Sequence, residues 1–213
     1  MNIFYCNKDQ SLQSTDTILS KASLDSPGWW KNMTAFIFDK KTVKQVIYDS
    51  AWSDLLLHDT YMTAKGCPAL QNFYKHNVLI KFPCDFLIET SINGDYKWKS
   101  NNREISLTHH DPVQYPEMSA DYMVLKFVLN INFTTDKPTF IQFLDPVFYN
   151  AVDYKVSPGL VKTNPEHCYG MHIVCFFPKI DARYYFEQGE IIATLQLSEP
   201  VKKILYKDLS NLS

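Results

Sequence analysis

From residue 78 onward the apolar residues of this chain stop recurring at helical spacing and begin to alternate. In LKFVLNINF, Leu125, Phe127, Leu129, Ile131 and Phe133 fall on one face of an extended strand. VLIKFPCDFLIET reads as two strands broken at Pro83, and DYKWKS as a third after the Asn93-Gly94 turn signal. PTFIQFLDPVF, GMHIVCFF and EIIATLQL follow, each bounded by Pro, Gly, Asn or Asp. Repeated short strands with turns between them, and little helix after residue 76, predict a mainly β protein. The expected form is an antiparallel β-sandwich or a jelly-roll-like barrel. The 14 Phe, 13 Tyr and 4 Trp agree with it, since aromatic side chains suit a pleated, half-buried surface.

The first third reads differently. Residues 1–76 are expected as an irregular and helical segment packed on a β core formed by 77–213, in one structural domain. MNIFYCN suits a short strand. Residues 41–62 place Val43, Val46, Ile47, Trp52, Leu55, Leu56 and Leu57 at spacings that fit a helix or two. AKGCPALQNFYKHN reads as a short helix beginning near Pro68, because proline fits a first helical turn. The tail VKKILYKDLS is expected to close on the sheet.

Charge and cysteine usage narrow the setting. A formal net charge of −2 supplies no field for nucleic acid or an anionic membrane, so neither is expected as a partner. No run approaches the roughly 18 apolar residues a membrane helix needs, and no signal peptide opens the chain. Cys6, Cys67, Cys84, Cys168 and Cys175 are an odd number without CxxC spacing, which fits reduced thiols in a cytoplasm.

SLTHHDPVQ at 106–114 raises the question of chemistry. His109-x-Asp111 is the spacing with which a mononuclear Fe(II) site begins, and His172 in GMHIVCFF is the candidate third ligand. Arg183 lies where a following strand would aim a guanidinium at a 2-oxoglutarate carboxylate. The order resembles the iron(II)/2-oxoglutarate oxygenases, which implies Fe(II) and 2-oxoglutarate on a double-stranded β-helix. The competing reading makes His109 a turn residue, Asp111 an Asx-turn acid before Pro112, and His172 a core histidine.

Pro158-Gly159-Leu160-Val161, Tyr169-Gly170 and Gly189-Glu190-Ile191-Ile192 look like the last motifs of dUTPases. Lys162 stands where that family has its hydrolytic aspartate, so the resemblance implies nucleotide binding without hydrolysis.

A wider likeness is carried by PGWWK at 27–31, Cys67-Pro68, FPCD at 82–85, His110-x-x-x-Gln114, Pro158-Gly159 and Gly189-Glu190. In this order, over residues 27–197, the chain resembles a family of uncharacterised proteins of tailed, T4-like and marine bacteriophages and some bacteria. The resemblance implies phage origin and a β-rich fold. Asp111 is not part of its pattern. The leading expectation is a phage binding or assembly protein without catalytic activity, a virion component or host-interaction factor with a protein partner. Trp29, Trp30 and Trp52 are the candidates for contacts, although a loop that packs its indoles on the core is the alternative. The oxygenase and the dUTPase-like nucleotide binder are the other readings.

Overall fold

The computed structural model describes residues 1–7, 18–33, 36–37, 61–62, 64–102, 105–146, 149 and 153–207. Residues 41–60 of the stretch expected as a helix or two, Trp52 among them, lie outside these residues, and its last two, Tyr61 and Met62, are extended rather than helical.

In chain order the first strands are β1 (Asn2–Asn7), β2 (Leu19–Lys21), β3 (Phe36–Ile37), β4 (Tyr61–Met62) and β5 (Asn77–Lys81). Next come β6 (Phe86–Thr90), β7 (Tyr96–Ser100), β8 (Ser106–His109), β9 (Tyr122–Thr135), β10 (Thr139–Leu144) and β11 (Lys155–Val156). The last are β12 (Leu160–Thr163), β13 (Tyr169–Pro178), β14 (Ala182–Phe186), β15 (Ile191–Leu197) and β16 (Lys203–Tyr206). Two α-helices are described, α1 (Gly28–Asn32) and α2 (Pro68–His76). In α2, Pro68 takes the first helical turn, and Lys75 and His76 place basic groups at the C-terminal end of the helix dipole.

The long strand β9 organises one sheet, in the order β11-β13-β9-β1-β16, with β8 also paired to β9. A second sheet runs β12-β10-β15-β5-β2, and a third, β14-β6-β7, extends the assembly. All pairings are antiparallel except β1 with β16, which are parallel. The protein is a β-sandwich, and none of the described sheets closes into a barrel. Inner-face residues of β9 (Leu125, Phe127, Leu129, Ile131, Phe133) meet Val78 and Ile80 of β5 and Leu195 and Leu197 of β15 in one buried cluster. Phe82 stacks on Phe186 at 4.4 Å and meets Phe127 edge-on at 5.4 Å, linking the third sheet to the core.

The N-terminal residues do more than wrap the core. β1 is an inner strand of the first sheet, between β9 and β16, and the tail closes on it as β16. The expected Asn93-Gly94 turn joins β6 to β7. Gly94 there has φ +83, a left-handed conformation that favours glycine.

A smaller cluster lies on the outside of the second sheet. Trp30 of α1 and Tyr74 of α2 pack with Leu79 of β5 and Ala22. Alternation explains it: Val78 and Ile80 point into the sandwich, so Asn77, Leu79 and Lys81 point out, and the helices cover Leu79.

Candidate functional site

The residues of SLTHHDPVQ separate onto different faces. In β8, Leu107 stands opposite Phe127 and His109 opposite Leu125, so His109 belongs to the inner side of the sheet. It sits at the rim, exposed, with its ring over Tyr96 of β7 at 6.4 Å. His110 follows on the outer side, where its ring meets Tyr115 edge-on at 5.6 Å and Tyr115 in turn meets Phe176. The Asp111 carboxylate accepts the Val113 N–H at 2.9 Å and its carbonyl accepts the Gln114 N–H, an Asx-type turn into the 3-10 helix Pro112–Gln114.

His172 of β13 is paired with Val128, an outer-face position of β9. His109 and His172 therefore stand on opposite faces of one sheet, and the register does not bring them to a common point. Arg183 lies on β14, exposed, with its Nε donating to Glu89 Oε1 at 2.8 Å. Among the described residues, no three His, Cys, Asp or Glu side chains are grouped closely enough to hold a metal ion.

Of the tryptophans expected as contact residues, Trp30 is only 8% exposed and rests on Tyr74 at 4.4 Å. It belongs to the satellite core, because α1 turns that indole onto Leu79 and leaves Trp29, 43% exposed, at the surface.

The short motifs at 27–31, 67–68 and 82–85 do structural work. Cys67 and Pro68 start α2. Phe82 exchanges backbone hydrogen bonds with the 189–190 turn, its N–H donating to the Glu190 carbonyl and its carbonyl accepting the Gly189 N–H, both at 2.8 Å. Asp85 accepts the Gln188 N–H at 2.9 Å. FPCD and Gly189-Glu190 are thus two sides of one clasp. Burial pushes the Cys84 and Cys175 thiols up, away from the reactive thiolate.

A cleft of about 340 Å³ lies on the outside of the second sheet. Gln142 of β10 and Gln196 of β15 are directly paired and form its floor. Phe140 of β10, 50% exposed, and Leu160 of β12, 66% exposed, stand along one side. His76, at the end of α2, forms the other side, with its Nδ1–H donating to the Leu197 carbonyl at 3.1 Å. Ser198 completes the lining near a hydroxyl pair, Thr139 Oγ1 with Ser198 Oγ at 2.6 Å. No carboxylate, ammonium or guanidinium group lines this cleft among the described residues.

Local sequence carries little sign of the site. Outward Gln and Phe in a strand are ordinary surface residues when read one strand at a time. Their convergence comes from pairing β10 with β12 and β15, which are distant in the chain.

No helix among the described residues is long and apolar enough to cross a membrane. No family model, curated protein or solved structure matches this chain.

Proposed function

We propose that this chain is a phage-encoded binding or assembly protein, a virion component or host-interaction factor that works by recognition without catalysis. The observation that supports this reading is the open outer face of the second sheet. Phe140 and Leu160 are diagonal neighbours on the paired strands β10 and β12, and both are at least half exposed. Single exposed apolar residues are ordinary, whereas adjacent ones held on rigid strands beside a cleft suit a contact surface. The phage assignment rests on the likeness spread over residues 27–197. The arrangement of His109, Asp111, His172 and Arg183 lends no support to the oxygenase reading.

The test replaces both apolar residues, Phe140→Asp with Leu160→Asp, in the encoding phage. Incorporation into purified particles is measured by quantitative mass spectrometry, and host adsorption by plaque counts. At least a tenfold loss of one of the two is expected, with the melting temperature of the purified variant close to that of the parent. Parental incorporation and adsorption in the double variant would remove the reading.

A further inference from the structure

We propose that the cleft on the second sheet is a site for a neutral saccharide, held by Gln142 and Gln196 beneath it and by the Phe140 ring at its side. The inference rests on the reading of this face as a recognition surface and names the ligand that its chemistry fits.

Each carboxamide offers one acceptor oxygen and two N–H donors, so the paired Gln142 and Gln196 present both kinds of group side by side. Neighbouring sugar hydroxyls, which donate and accept at once, match that pattern. Phe140 supplies an exposed aromatic face, and the C–H side of a pyranose ring packs on such a face without needing charge. His76 adds a second ring nitrogen, Nε2, since its Nδ1–H donates to the Leu197 carbonyl. The volume, about 340 Å³, lies at the small end of the roughly 300–1,000 Å³ typical of ligand sites. That suits a sugar unit or a short run of them.

A second observation points the same way. Asn77 stands directly opposite Gln196, and Thr194 lies two residues before it on the same strand and face. Both are fully buried, and among the described residues the Asn77 amide and the Thr194 hydroxyl have no hydrogen-bond partner. Such groups are rare in native proteins and call for a specific cause. Gln196 is thus the accessible end of a polar strip on this outer face. A lipid tail would strip water from the glutamine floor and return nothing. An acidic ligand would find no lysine or arginine in the lining. An extended peptide would pair along the edge of β12 instead of lying across the glutamines.

The test is a printed array carrying neutral hexose and N-acetylhexosamine oligosaccharides beside sialylated and sulfated ones, followed by calorimetric titration of the best neutral oligosaccharide. Neutral glycans are expected to be retained, and Gln196→Ala, Gln142→Ala and Phe140→Ala each to weaken binding at least tenfold. Ile92→Ser, exposed at the β6–β7 turn, is expected to leave it unchanged. Retention of acidic glycans alone, no retention by the folded parent, or neutral binding that survives Gln196→Ala and Phe140→Ala would each overturn the saccharide assignment. If glycans fail while Phe140→Asp with Leu160→Asp still impairs the phage, the recognition surface stands and its ligand is not a sugar. Failure of both removes the surface as well.

Discussion

The outer face of the second sheet is built in two ways. Over β2 and β5 it is covered, with Leu79 under Tyr74 and Trp30 from the two helices. Over β10 and β12 it is open, and Phe140 and Leu160 meet solvent. Both halves place large apolar groups outward on the same hydrogen-bonded scaffold, so strand pairing does not explain the difference. Among the described residues, the chain returns helices to one half and leaves the other open. The open half is the part of this sheet free to bind something else.

The largest test of this contrast replaces one aromatic in each half. Trp30→Ala removes a buried indole from the covered half and is expected to cost about 3 kcal/mol in urea unfolding. Phe140→Ala in the open half is expected to stay within about 0.5 kcal/mol of the parent. Similar losses at both positions would mean that the open half is covered in solution and that the contrast is false.

A smaller effect compares the covered layer with the sandwich core. The Tyr154 hydroxyl donates to the Ile192 carbonyl at 2.9 Å, and burial pushes its pKa far up, so it stays protonated and donating. Tyr154→Phe is expected to cost about 1–2 kcal/mol. The Tyr74 hydroxyl is buried with no hydrogen-bond partner among the described residues, and burial also raises its pKa. Tyr74→Phe is expected to be neutral or stabilising by up to about 1 kcal/mol. Chemical denaturation of the two variants decides it, and a larger loss at Tyr74 would show that the helical layer holds a hydrogen bond to that hydroxyl.

The smallest effect concerns pH. On the covered half Lys81 Nζ lies 2.6 Å from Asp25 Oδ2. Partial burial pushes the Asp25 carboxyl up, but the Lys81 hydrogen bond and charge contribute to an opposing pull that holds it below the ordinary aspartate range. A depressed folded pKa gives stability that is present above the unfolded value of about 3.9 and is lost as pH falls through the folded value. Asp25 is 39% exposed in its side chain, so screening keeps the contribution below about 1 kcal/mol. Melting curves between about pH 3 and pH 7 should show a slightly shallower acid loss in Asp25→Asn than in the parent.

Much of the fold was legible in local pattern. The alternation of LKFVLNINF places Leu125 through Phe133 on the inner face, and the break at Pro83 separates β5 from β6. Pro68 marks the start of α2 for a local reason, its fixed φ and missing N–H. The role of β1 was less legible. Its six residues read as a strand, but their place between β9 and β16 depends on partners more than a hundred residues away.

The site was legible least of all. His109-x-Asp111 and the distal His172 are a pattern in sequence only. In the sheet they are divided by the alternation that makes β9 recognisable, one histidine on each face. PGWWK presents two indoles with equal claim to the surface, and the turn of α1 buries one of them.

The sequence by itself determined that this chain makes a succession of β-strands separated by turns, because period-two alternation and turn residues act within a few positions of the chain. The tertiary structure alone decided which outward side chains become neighbours. Gln142 and Gln196 are 54 positions apart, and they share a floor because β10 and β15 pair in a register set by the whole sandwich. Burying both inner faces at once admits one register of these strands, since a one-residue slip would turn every core side chain to solvent.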